Sequence, residues 1–267
     1  MADADSPERP DSFVSHTPVR ARVLVEPGLG ALWGFAAGAA AVGRGDDVAT
    51  SCAVAHILMQ RGMYHGTDTA DGVAAFARVL PIALFHAGAD EQRRETVLRQ
   101  THDLPTQLAC VAWAGALAAA VWRKAEPHDQ LIAAINDMDI VSELLRDAPE
   151  HANDETWEDA VIAANTGARA AFAEALEASF APGDSSAISA LSQAFWHILH
   201  APIPDLDALA SCGAAAPAVG ALVGATRGLD ALPPTWMDAG RAVGGADLAD
   251  LVQTGPFLGW GIPKHTR

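Results

Sequence analysis

Small residues recur every four positions in two stretches far apart in this chain, GLGALWGFAAGAAAVG at residues 28–43 and GALVGATRG at residues 220–228. Side chains four apart lie on one face of a helix, and a face made of Gly and Ala lets a second helix backbone approach closely. The remaining sequence agrees with a helical object. Alanine dominates, β-branched alternation is scarce, and turn signals fall between segments of helical length. The pattern predicts helices over residues 29–42, 46–61, 71–88, 90–101, 105–124, 128–147, 154–178, 186–200, 214–227 and 234–241, and no strand. No repeat of roughly 30 to 45 residues recurs, so a single compact all-α, multi-helix domain is expected rather than a solenoid.

With 267 residues, half of them hydrophobic, the chain is long enough for a substantial core. Its N-terminus, MADADSPERPDSFVSHTPVR, is acidic and proline-bearing with no apolar run, so residues 1–24 read as a disordered leader and not a targeting peptide. The helical domain is expected over residues 25–245, with 246–267 a C-terminal tail that packs on it or trails from it. A net charge of −16 repels phosphate backbones and anionic lipid surfaces, which argues against nucleic-acid and membrane partners. The uncharged run Ala208 to Thr226 has the length of a membrane span but is built largely of Ala and Gly around Pro217, so burial among helices is the expectation. Cys52, Cys110 and Cys212 lie isolated in Ala-rich segments, as small core residues of a reducing, cytoplasmic compartment would.

Candidate chemistry is sparse. Asp46 and Asp47 stand side by side where the helical pattern VATSCAVAHILMQ begins, as two carboxylates that could hold a cation or simply start a helix. Arg78 interrupts an apolar helical pattern; it needs an acidic or carbonyl partner if buried, with Asp46 or Asp47 available, and otherwise snorkels to the surface. Trp33, Trp113, Trp122 and Trp196 fall in helical patterns as core residues. Of ten histidines, only His197 and His200 have the i, i+3 spacing of a metal pair, without a neighbouring carboxylate. Phosphate-binding glycine loops and serine elbows are missing.

Several segments, taken in order, resemble the ADP-ribosylglycohydrolase family, which includes the dinitrogenase reductase activating glycohydrolases. GALVGATRGLDALPPTWMD, residues 220–238, is similar to the family's closing G-A-L-A-G-A-x-x-G-x-x-A-I-P-x-x-W-L. GALWGFAAGAAAVG resembles its opening G-x-L-x-G-x-A-x-G-D-A-L-G, and GDDVATSCAVAHIL its T-D-D-T followed by a helix. ARVLPIALF resembles M-R-x-x-P-L-A-L, RQTHDLPTQLACVAWAGAL resembles T-H-x-x-P and its helix, and ALSQAFWHILHA resembles A-L-x-A-A-L-W-x-x-L. The six segments run in family order across residues 28–241.

The resemblance implies an all-α glycohydrolase fold and a cleft in which two Mg²⁺ ions are held by T-D-D-T and by a second cluster, G-D-A-D-T, ahead of the closing motif. Here the first cluster reads Gly45-Asp46-Asp47-Val48, and counting back from Gly220 the second falls on Ser211-Cys212-Gly213-Ala214. Ala39 stands where the opening motif carries Asp, and the loop after that motif is nearly absent. The carried-over site is therefore Asp46 and Asp47 as catalytic and metal-ligating residues, with Arg78, His102, Ser211 and Gly213 facing substrate. Magnesium wants about six oxygens, so the cofactor expectation is weak Mg²⁺ binding at Asp46 and Asp47 or none, with Asp205 and Asp207 the nearest substitute carboxylates. Two function classes follow. One is a hydrolase of an ADP-ribosyl or related ribosyl bond, or an enzyme using the cleft for other chemistry. The other is an inactive relative binding a small ribosyl ligand or a modified protein.

Overall fold

The computed structural model describes residues 19–62, 64, 69–151, 154–177, 186–201, 203 and 205–254. Among them are twelve α-helices and no strand. In chain order these are α1 (Val19–Ala41), α2 (Gly45–Arg61), α3 (Ala75–Phe85), α4 (Asp90–Leu98), α5 (Leu104–Arg123), α6 (Pro127–Arg146), α7 (Glu155–Glu174), α8 (Ala187–Leu199), α9 (Leu206–Ala210), α10 (Ala216–Arg227), α11 (Pro234–Ala242) and α12 (Gly245–Thr254).

Helix starts follow ordinary capping chemistry. Asp103 accepts the Thr106 N–H at 3.0 Å to open α5, and Asp154 accepts the Trp157 N–H to open α7. Ser186 opens α8 and Asp205 opens α9 in the same way. Each supplies an acceptor to a backbone donor that has no partner inside the helix.

The two small-residue stretches pack on each other. Gly30 lies against Gly224, Gly34 against Gly220 and Gly38 against Ala216, so closely that a methyl group on Gly34 would sit 1.9 Å from the Gly220 carbonyl oxygen. This α1–α10 pair is covered by α11 and α12 on one side and joined to α8 and α5 on the other. α5 is the central helix, touching α3, α4, α6, α7, α8 and α10. It is the one described helix long and apolar enough to cross a membrane, and most of it is buried in the core. Trp113 on α5 is fully buried and tilts against Phe76 on α3 at a centroid distance of 4.7 Å. The run Ala208 to Thr226 is divided among α9, a turn and α10, and α10 is buried from Ala216 to Ala225.

Differences from the sequence pattern have local causes. α1 begins at Val19 and so includes the end of the stretch read as a leader; residues 1–18 lie outside the described residues. The expected helix 71–88 is a 3-10 turn at Gly72–Ala74 followed by α3, because Gly72 takes φ +60 and the α-helix starts only beyond it. The five residues of α9 are too few to show a period. α12 occupies the expected tail and buries Leu248 and Ala249; residues 255–267 lie outside the described residues. Trp122 corrects the core reading: it is 39% exposed, with its ring over Gly88 at the surface end of α5.

A buried polar cluster joins α4, α5 and α6. Arg93 is buried and donates to Asp90 and Asp137 at 2.7 Å each and to the His86 and Ala87 carbonyls, while Arg94 donates to the second Asp137 oxygen at 2.8 Å. Burial first, and the Arg93 charge second, hold His86 down to about 4. A free histidine titrates near 6.5, so the unfolded chain binds a proton that folded His86 refuses. This contribution to stability is present above that value and is lost as pH falls from there toward about 4. His86→Leu is expected to flatten the loss of melting temperature between neutral and mildly acidic pH; a variant as acid-sensitive as the parent would contradict it.

Candidate functional site

The C-terminus of α1 determines what stands at the mouth of α2. Gly43 takes φ +70, its N–H reaches the Ala40 carbonyl at 3.2 Å, and the Arg44 N–H reaches the Ala39 carbonyl at 2.7 Å. This is the glycine-terminated Schellman arrangement, which reverses the chain in a few residues. α2 therefore starts at Gly45, directly after Arg44. Ala39 is fully buried beneath this turn.

Asp46 and Asp47 lie in the first turn of α2, where negative charge favours the helix dipole, but neither caps a backbone N–H. Asp46 is exposed and Asp47 half-buried. Burial lifts the Asp47 carboxyl, and the neighbouring Arg44 charge and hydrogen bond only partly oppose this, so it titrates above its ordinary value. Val48 is fully buried, part of the core rather than of the cleft.

The fold brings this helix start to the turn ahead of α10. The Arg44 guanidinium pairs through Nε with Asp47 at 2.8 Å and donates through Nη1 to the Ala214 carbonyl at 3.3 Å. On that opposite wall Ser211 is exposed, and its hydroxyl donates to the Ala208 carbonyl at 2.7 Å, closing the end of α9. Gly213 is exposed at φ +56. Asp205 Oδ1 accepts the Ala208 N–H at 2.8 Å, and Asp207 is exposed on α9.

Cys212 is buried between these residues, with Sγ 3.4 Å from His197 Nε2. The other His197 nitrogen faces the Ala201 carbonyl at 3.3 Å, so assigning the ring proton there leaves Nε2 as the acceptor for the thiol. Burial pushes the thiol up to about 11, and burial lowers His197 against the opposing effect of the Ala201 carbonyl. Both groups are thereby held neutral, the reverse of an activated thiolate. With one nitrogen of His197 on Ala201 and the other on Cys212, the expected His197/His200 spacing forms no metal pair; His200 instead packs near the Trp196 ring.

Arg78 is half-buried on α3 and donates to the Tyr64 hydroxyl at 3.3 Å. The ion pair of Asp47 is with Arg44. His102 is exposed; its neighbour Thr101 is the buried member of the pair and donates to Asp71 at 2.6 Å. Thus Arg44 joins Asp47 at the start of α2 to the Ala214 carbonyl in the turn that also holds Ser211 and Gly213. The structure shows no contact of His102 with that group.

Arg44 is the residue that sequence reasoning passed over. Its signal was available: a cation directly before a helix whose first turn carries two acids, at an end where the dipole disfavours positive charge. Asp247 was also missed. It approaches α2 from α12, and its charge adds to burial in raising Cys52. Among the described residues, no three His, Cys, Asp or Glu side chains converge as a metal-holding group.

Comparison with known proteins agrees with this architecture. A solved "ADP-ribosylglycohydrolase-related protein complex" superposes with a TM-score of 0.58 at 20% identity, covering 87% of this chain and 99% of its own, which is a likeness of fold. No curated protein matches the sequence. The family description ADP-ribosylglycohydrolase matches residues 29–257, nearly the whole described chain. The chain belongs to the ADP-ribosylglycohydrolase family.

Proposed function

We propose that this chain keeps the family's cleft as a binding site for a small ribosyl ligand, free or carried on a modified protein, and does not hydrolyse it with a magnesium pair. The observation that carries the reading is the donor chemistry of the second wall. Ser211 offers a single hydroxyl oxygen, Gly213 has no side chain, Cys212 is turned inward on His197, and one Asp205 oxygen caps α9. Together with the half-buried Asp47 and exposed Asp46, these residues do not fit two hard dications that each want about six oxygens. A single weakly held ion at Asp46 is the most the first wall can offer. No step of a reaction is assigned to a metal. The three free thiols suit a reducing, cytoplasmic setting.

The experiment has two arms. ADP-ribose should raise the melting temperature, because a ligand that binds the native state stabilises it by mass action. ADP-ribosyl-arginine should release no ADP-ribose with or without Mg²⁺, since nothing on the second wall is placed to stabilise the developing charge. Robust release that disappears in Asp46→Asn or Asp47→Asn would replace this reading with that of an active hydrolase.

A further inference from the structure

We infer that Arg44 is the resident cation of this cleft: its guanidinium spans the two walls, from the Asp47 carboxylate to the Ala214 carbonyl, in the place where a dication would otherwise have to stand. The inference rests on the non-hydrolysing reading and deepens it, by naming what holds the walls together in place of a metal.

Three observations converge on it. The first is placement. Arg44 is the residue flanking the N-terminus of α2, and its side chain makes no capping hydrogen bond. A cation there opposes the helix dipole, so helix stability does not account for it. The second is geometry. Two different nitrogens of one planar group serve two partners, one of them 170 residues from Arg44 in sequence: Nε at 2.8 Å from Asp47 and Nη1 at 3.3 Å from the Ala214 oxygen. A guanidinium can do this because its donors diverge in a fixed fork; an ammonium is a single point of charge. The third is delivery. The Schellman turn at Gly43 pins the Arg44 backbone through its own N–H to Ala39, so the side chain leaves from a fixed origin toward the opposite wall.

The pair is partly protected from water, with 23% of the Arg44 side chain and 15% of the Asp47 side chain exposed. Removing the guanidinium would leave Asp46 and Asp47 adjacent and uncompensated at one helix start. Those two like charges, plus the Ala214 carbonyl across the gap, are an oxygen-only environment that favours a hard cation. The native cleft should therefore be indifferent to divalent ions, and a cleft without Arg44 should respond to them.

The test compares the melting temperatures of the parent, Arg44→Ala, Arg44→Lys and Arg44→Ala/Asp47→Asn in MgCl₂ and in NaCl of equal ionic strength. The parent should be unmoved by millimolar Mg²⁺. Arg44→Ala should melt lower by about 2 to 6 °C and recover part of that loss in MgCl₂, and the double variant should show no recovery. Arg44→Lys, which keeps the charge but cannot reach both partners, should fall between and serve if the alanine variant does not fold. An Arg44→Ala protein with the parent's melting temperature, or one whose loss Mg²⁺ does not relieve, overturns the inference. Stabilisation of the parent itself by Mg²⁺ would instead overturn the reading of a cleft without metal, so the two failures are told apart.

Discussion

Gly34→Ala is expected to lower stability by about 3 kcal/mol, equivalent to about 6 to 12 °C in melting temperature for a domain of this size. The added methyl would lie 1.9 Å from the Gly220 carbonyl oxygen and 2.6 Å from its carbon. Both atoms are backbone, so no rotamer change relieves the overlap; α1 and α10 must move apart along their shared seam. The reciprocal substitution at Gly220 meets the Gly34 carbonyl oxygen at 2.1 Å and should behave alike. Alanine is the better helix former by about 1 kcal/mol, which reduces the net loss without reversing it. Gly167 on α7 provides the control, since a Cβ there would meet nothing within 4 Å. Gly167→Ala should raise stability by about 0.5 to 1 kcal/mol. Urea unfolding of the three variants decides the matter, and equal shifts at Gly34 and Gly167 would show that the α1–α10 seam is not close-packed.

That seam explains why the fold was readable from the sequence. Glycines at positions 30, 34, 38, 220 and 224 are costly in a helix unless another backbone needs their space, so the pattern carries information about tertiary packing as well as local structure. Long segments such as α5 and α6 announced themselves by their helical length between turn signals. What stayed hidden were elements too short for a period, such as α9, and elements set by backbone sign, such as the turn at Gly72. Trp122 was misplaced because its helical pattern continues past the point where α5 leaves the core.

The order of the family-like segments was legible in the sequence, and the bonds between them were not. Motif order located Asp46, Asp47, Ser211 and Gly213, and the structure brings the two segments together through Arg44. Partner choice was not accessible, because it depends on which side chain reaches across a gap between segments 170 residues apart. Arg78 shows this directly. Its place in an apolar helix demanded a polar partner, and spacing alone could not name the Tyr64 hydroxyl among the groups it meets.

The second large effect is expected at Asp137, a residue that no motif marks. Its carboxylate lies between Arg93 and Arg94, with 9% of the Asp137 side chain and 3% of the Arg93 side chain exposed. Gly115 on α5 leaves it room, for a methyl there would sit 2.6 Å from Asp137 Oδ2. Asp137→Ala removes two charge-assisted hydrogen bonds and leaves a buried guanidinium short of a counter-charge, a defect that typically costs about 3 to 5 kcal/mol. Arg93 keeps Asp90 and two backbone carbonyls, so the lower end, about 3 kcal/mol, is expected. Asp137→Asn preserves shape and one acceptor and should cost less. Glu95→Ala, which breaks an exposed i, i+4 pair with Arg99, should cost only about 0.5 kcal/mol. High salt distinguishes the two cases further, because screening weakens exposed pairs and largely spares buried ones. If Asp137→Ala destabilised no more than Glu95→Ala, water would have to reach Arg93 at little cost, and the Arg93–Asp137 bond would not be what ties α4 to α6.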